Sequence, residues 1–406
     1  MHTVDRHSAR AVGGALVLSM LMVLDAAAAP PARKPLGPKE REAVLALLKA
    51  VDHAQETDAL ADAGVGWDNH VLKGGNQSAY VPFRLSLGGA EMKQPAMYVR
   101  AVSRHDGVRA AEEHSVLREW VLKGGDVIAR PQETMYVGLG EMPVGGIAVS
   151  SRRESTAAAA AASGALLLQE QAYEKQKAAA EAAKKKEEAR ERDPFLFPFE
   201  DYYFFDLKQG AGVERALMLP PGEYDVFVAM IDRGRVKTSS AVVTRHTIVV
   251  PDFWADQLAL STLILARDVR TLKAPFAPAQ QSEHPYAFGL AEVVPVAAPA
   301  FTQDDALTVV YQICNYGAPD SDLTAEYTFY RVDGARRLFN HTPPQVFADE
   351  DLPKPGPWET AAFATQSVPL TPFPPGQYEL EVSVRDRLTR ATAKAAVAFT
   401  VSSGVR

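Results

Sequence analysis

The sequence predicts a mainly β protein with two antiparallel β-sandwiches, the first interrupted by a long Ala/Lys/Glu-rich helix. Three observations carry that prediction. A turn-and-strand motif occurs twice, at Leu219–Val228 and Phe373–Val382. Several short runs alternate apolar and polar residues, the two-residue period of a half-buried strand. Ala157–Arg192 breaks that pattern and is dominated by alanine, lysine, glutamate, arginine and glutamine.

The chain opens with Arg6 and Arg10, then the apolar run Ala11–Leu24, then Ala26-Ala27-Ala28. That order is the order of a secretory signal peptide. It predicts a signal over residues 1–28, cleaved after Ala28, because a cut one residue later would place Pro30 directly behind it. A bilayer span needs about 20 apolar residues, more than this run offers. Residues 29–75 are expected to form a proline-rich leader and an amphipathic helix. Pro38 suits a first helical turn, and Val44, Leu47, Leu48 and Val51 recur at i, i+3, i+4 and i+7, one apolar helix face.

Residues 76–250 are expected to form the first sandwich. Val81, Phe83, Leu85 and Leu87 alternate with Pro82, Arg84 and Ser86, giving a half-buried strand with its proline near the start. Met97–Val102 and Met135–Leu139 have the same character, and Ala110–Val121 has weak helical spacing. The insertion is placed at about residues 156–192. No proline or glycine interrupts Ala165–Arg192, and its residues are strong helix formers. As a helix it would be a rod of roughly 40 Å. It holds seven basic and six acidic residues, a balance that fits a solvated spacer better than a nucleic-acid arm. A coiled-coil seam through Leu168, Ala172, Ala179 and Ala182 is interrupted by Lys175.

The duplicated motif sets Leu219-Pro220-Pro221-Gly222-Glu223-Tyr224 beside Phe373-Pro374-Pro375-Gly376-Gln377-Tyr378. A Pro-Gly turn feeds a strand whose tyrosine stands at the corner. In immunoglobulin-like sandwiches such a tyrosine bonds back to the main chain, so two immunoglobulin-like antiparallel β-sandwiches are expected, the second over residues 251–406. Upstream, Tyr98–Val102 is similar to Phe329–Val332, and Val81–Leu87 to Leu307–Ile313. The stretch from Tyr98 to Tyr224 is much longer than that from Tyr330 to Tyr378, which assigns the excess to an insertion. The other arrangement is a separate amino-terminal domain and a helical linker before two sandwiches. It would leave Phe195–Leu219 to supply every strand before Tyr224, and that segment is too short.

Further stretches carry a family resemblance: Phe197-Pro198-Phe199-Glu200-Asp201, Val250-Pro251-Asp252-Phe253-Trp254, Leu260–Ala266, Pro285-Tyr286, Phe339-Asn340, Pro343-Pro344-Gln345 and Gln366–Leu370. With the Leu-Pro-Pro-Gly copy, they resemble uncharacterised exported bacterial tandem β-sandwich proteins. The carboxy-terminal part is also similar to β-sandwich regions of GWxTD-type proteins. Tyr311-Gln312-Ile313-Cys314-Asn315 matches a strand of that family, with cysteine where tyrosine is usual. Gly66-Trp67-Asp68-Asn69 only begins like the family signature. The resemblance implies a fold and a compartment and lends no activity.

The chemistry is sparse. Lys and Arg number 43 against 50 Asp and Glu, a net charge of −7, which argues against holding nucleic acid or an anionic membrane. One cysteine, Cys314, rules out an intramolecular disulfide framework. No histidine pair has the spacing of a metal motif, and there is no nucleophile elbow or phosphate loop. Glu112-Glu113-His114 fits a solvated helix face. Asp304-Asp305, Asp320-Ser321-Asp322 and Asp349-Glu350-Asp351 fit polar loop tips, although sandwich loops can bind Ca²⁺ through such oxygens. No catalytic, cofactor-binding or metal residue is assigned, and no cofactor is expected.

Aromatics are the better candidates for recognition. Phe195, Phe197, Phe199, Tyr202 and Tyr203 fit either a strand that closes the first sandwich or an edge that pairs with a partner strand. Trp67, Trp254 and Trp358 could stack on sugars. The sequence therefore predicts a non-enzymatic exported protein, periplasmic or secreted, for protein–protein interaction or cell-envelope scaffolding. Its partner would be an envelope or secreted protein. The alternative is a carbohydrate-binding module protein.

Overall fold

A computed structural model describes residues 36–57, 60, 65–75, 77–87, 92–104, 197–206, 212–238, 240–255, 257–316, 322–347 and 361–404. The expected signal peptide at 1–28, the leader to residue 35, the strand at 135–139, the insertion helix at 156–192, Phe195 and Trp358 lie outside the described residues.

Helix α1 spans Pro38–Thr57. Pro38 occupies its first turn, and the Glu40 carboxylate reaches back to accept from Gly37 N–H at 2.9 Å, one half of a capping box. Val44, Leu47, Leu48 and Val51 are all buried, so the apolar stripe is the docking face.

The first sandwich follows as β1 (Val65–Asn69), β2 (Ala79–Leu87), β3 (Pro95–Ser103), β4 (Phe199–Phe204), β5 (Val213–Leu219), β6 (Gly222–Asp232) and β7 (Val242–Val250). Sheet I runs β1-β2-β5 and sheet II runs β4-β3-β6-β7, antiparallel throughout. Strand β3 pairs with both β4 and β6, so strands from either side of residues 105–196 share one sheet. Val81, Phe83 and Leu85 of β2 meet Met97, Val99 and Ala101 of β3 and Val226, Val228 and Met230 of β6 between the two sheets. The opposite face of sheet II, with Ala96, Tyr98, Phe227, Ala229 and Ile231, packs under α1.

The second sandwich contains β8 (Ala259–Leu260), β9 (Ile264–Thr271), α2 (Pro278–Gln281), β10 (Ala287–Phe288), β11 (Ala291–Pro295), β12 (Ala300–Thr302), β13 (Ala306–Cys314), β14 (Leu323–Asp333), β15 (Ala335–His341), β16 (Gln345–Val346), β17 (Ala361–Pro369), β18 (Gly376–Asp386) and β19 (Thr392–Ser402). Sheet III runs β10-β11-β9-β13-β17, with β8 on β13. Sheet IV runs β12-β19-β18-β14-β15, with β16 on β14. Strand β12 is parallel to β19.

The duplicated motif is a duplicated topology. Strands β3-β6-β7 repeat as β14-β18-β19, and β1-β2-β5 as β9-β13-β17. Both corner tyrosines bond back to the main chain: Tyr224 Oη donates to Pro220 O at 2.9 Å, and Tyr378 Oη to Pro374 O at 2.5 Å. Gly222, at φ +150°, makes the first turn. Replacing either tyrosine by phenylalanine keeps the ring and removes one bond, so a loss of about 1 kcal/mol is expected from each in urea unfolding.

The match between Tyr98–Val102 and Phe329–Val332 needs correction. Tyr224 stands opposite Ser103 and Tyr378 opposite Arg331, so Ser103 is the counterpart of Arg331. The sequence match was slipped by three residues, and an odd slip exchanges the two faces of a strand. Arg100 therefore has Thr328 as its counterpart and turns toward α1.

A second correction concerns β2. Its outer residues Tyr80 and Pro82 are buried as well as its inner ones, because the outer face of sheet I packs on sheet III. Leu72, Tyr80, Ala216 and Met218 meet Ile264, Ala266, Val310, Tyr286, Phe288 and Val293 there. Tyr286, Phe288 and Val293 come from an arm between β9 and β13 that has only residues 70–78 as its counterpart in the first copy. The layers therefore run α1, sheet II, sheet I, sheet III, sheet IV.

Candidate functional site

Among the described residues, the aromatics named for recognition between Phe195 and Phe205 do not form an accessible surface. Phe197, Phe199, Tyr202 and Tyr203 are all buried. Phe199 and Tyr203 enter the inter-sheet core, and Tyr202 lies beneath α1. Phe197 covers the Arg100 guanidinium at 4.0 Å. Among the described residues β4 pairs only with β3, and sheet I covers one of its faces and α1 the other. Its aromatics close the sandwich.

Of the tryptophans, Trp67 and Trp254 are among the described residues. Trp67 is stacked between Phe83 and His246, at centroid distances of 4.6 and 4.7 Å, so both ring faces are occupied. Trp254 is half-buried after β7, with Lys73 Nζ at 5.9 Å from its ring. It packs against the inter-sheet core of the first sandwich.

Among the described residues, polar groups join successive layers at three places. The first joins α1 to sheet II. Arg100 Nη1 donates to Asp52 Oδ1 at 2.6 Å and to Gln55 Oε1 at 3.2 Å. Its Nε donates to Tyr98 Oη at 2.7 Å, and that hydroxyl donates to Glu200 Oε2 at 2.7 Å. Burial opposes charge on Arg100, but Tyr98, Asp52 and Glu200 outweigh it and hold the guanidinium more firmly protonated. Burial raises the Tyr98 hydroxyl well above its usual range, so it stays neutral and can bridge two charges. The sequence carries a signal for this cluster: Arg100 interrupts an apolar strand, and Asp52 and Gln55 extend the apolar stripe of α1.

The second place is the face between the sandwiches. Tyr80 Oη donates to Pro285 O at 2.7 Å. His70 Nδ1 lies 3.0 Å from Tyr286 Oη. Arg84 joins Glu214 and donates to Pro295 O at 2.9 Å. Burial, with the Arg84 charge, lowers the pKa of His70 from 6.5 to about 4. The unfolded chain therefore takes up that proton first as pH falls. Stability should be intact above about pH 6.5 and decline toward pH 4, with about 3 kcal/mol lost at the lower end. Urea titrations across that range check it, and His70→Gln should flatten the decline.

The third place is the junction after β7. Lys73 Nζ donates to Asn315 Oδ1 at 2.6 Å. Asn315, at φ +57°, donates from Nδ2 to the carbonyls of Phe253, Ala255 and Gln257 at 2.8, 3.1 and 2.9 Å. One amide thus ties the turn leaving the first sandwich to a strand of the second. Cys314 beside it is fully buried, and burial pushes its thiol up to about 12, where thiolate chemistry is suppressed.

Among the described residues, no group of three or more His, Cys, Asp or Glu is placed to hold a metal ion. No described helix is long and apolar enough to cross a membrane.

No protein-family model matches the chain, so the likeness to GWxTD-type regions gains no support there. A comparison with curated proteins by sequence also finds no match. Among solved structures, red sea bream transglutaminase aligns at TM-score 0.19 and 6% identity, over 86% of this chain and 33% of that one. The chain thus spans about a third of the transglutaminase. A protein titled BspA_C_mut aligns at TM-score 0.17 and 8% identity, over 82% of this chain and 98% of that one. Both scores are too low to carry a functional argument.

Proposed function

We propose that this β-sandwich protein is a non-enzymatic, exported, periplasmic or secreted component that works by protein–protein interaction or envelope scaffolding. The observation that carries the reading is the fusion of two sandwiches into one stack across an apolar face. Two domains joined only by a linker can move independently, whereas a stack cemented through Tyr80, Tyr286 and Phe288 presents its outer surfaces at fixed positions. Arg100, His70 and Lys73 each join one layer to the next, and Cys314 is buried in the core. A stacking platform for sugars has less support, because both faces of Trp67 are occupied.

The test has two arms. Cells expressing the full chain are fractionated, and chain recovered from the envelope or medium fraction is used for affinity capture and for a glycan array. The reading expects processed chain in that fraction and a specific protein retained. Recovery from the cytosol, or binding to glycans with no protein retained, would overturn it.

A further inference from the structure

We propose that the contact between the two sandwiches is an acid-operated clasp, closed while His70 is neutral and opened by its protonation, with each sandwich left folded. This goes beyond the interaction reading and does not depend on it. His70 belongs to the first sandwich, in the segment between β1 and β2, and is 7% exposed. Tyr286, from the arm of the second sandwich, lies edge-on to its ring at a centroid distance of 5.6 Å, with Oη 3.0 Å from Nδ1. Separating the sandwiches therefore exposes the imidazole without unfolding either one.

The titratable and charged groups that meet His70 at this face are Tyr286, Tyr80, Arg84, Asp68 and Glu214. Arg84 is the charge that acts on the imidazole, and its guanidinium is held by Glu214 and by Pro295 O across the face. A second cation beside it, away from water, is opposed by burial and by repulsion. The Tyr286 hydroxyl is held well above its usual range, first by burial, so it stays neutral and supplies no counter-charge. The Tyr80 hydroxyl is engaged with Pro285 O.

Opening returns His70 to water and to an ordinary histidine pKa, so proton uptake favours the open form. With the closed-form value at about 4 against 6.5, the closed form keeps its full advantage above pH 6.5 and loses it progressively toward pH 4. Asp68 works in the opposite sense. Burial raises its carboxyl, against the pull of Arg84, so its protonation favours the closed form and limits the window from below. The clasp is therefore best read at pH 5.

Three amides report the opening. Val71 N–H donates to Thr262 Oγ1 at 2.7 Å, Lys73 N–H to Gln312 Oε1 at 2.7 Å, and Thr262 N–H to Val71 O at 3.1 Å. Each bond runs from one sandwich to the other, so separation frees all three, whereas Val228 and Val382 lie in central strands and need their sandwich to unfold. Hydrogen exchange of the unmodified full chain is measured at pH 7 and pH 5, each rate taken relative to an unprotected amide at the same pH. Protection at the three reporters should fall about twentyfold and stay below that of Val228 and Val382 at both pH values. His70→Gln should abolish the fall, with His70→Asn as a second neutral replacement. Unchanged protection at the reporters, protection equal to that of Val228 and Val382, or a fall that persists without His70 would each overturn the proposal.

Discussion

Arg100→Leu is expected to lower stability by about 3–5 kcal/mol, because it leaves Asp52 and Glu200 in the interior without their cation. The leucine fills part of the volume, so the loss is dominated by the stranded charge. Asp52 sits on α1, and Tyr98, Arg100 and Glu200 sit on sheet II. The damage should therefore appear first as fast hydrogen exchange along α1. Adding Asp52→Leu to the Arg100→Leu chain removes one stranded charge and should restore part of the loss. Urea unfolding of the two single variants and the double completes the cycle.

Phe288→Ala is the second large effect. Phe288 is buried, stacked on Phe363 at 4.6 Å and edge-on to Tyr80 at 6.3 Å. Truncating such a ring costs about 3–5 kcal/mol. Its place between the sandwiches adds a qualitative consequence. The unmodified chain should unfold its two sandwiches in one transition, and the variant should separate them into two. Calorimetry reads both quantities at once.

Local signals made the fold class legible. The stripe Val44-Leu47-Leu48-Val51 and the tyrosines at 224 and 378 needed only neighbouring residues to be understood, and each is found in the role its pattern implies. What covers a strand was not legible. The aromatics of β4 look the same whether they face solvent or not. Their burial depends on α1, far away in sequence, and on sheet I. Tyr80 and Pro82 alternate with core residues as solvent-facing positions would, but sheet III covers them. The register of β3 was misplaced because an arginine near an aromatic occurs in both copies, at Arg100 and Arg331, on positions that are not equivalent. Only the pairing partners of Tyr224 and Tyr378 resolve it. The Arg100 cluster shows the same limit: its four polar partners come from α1, β3 and β4, and only tertiary packing unites them.

The account depends most on the two sandwiches behaving as one body. Spin labels placed through Lys237→Cys and Ala398→Cys, both at exposed positions, measure it directly, since the buried Cys314 takes no label. Pulsed dipolar spectroscopy should return one narrow distance distribution. A broad or multimodal distribution would mean that the sandwiches move independently, and would contradict the fused stack.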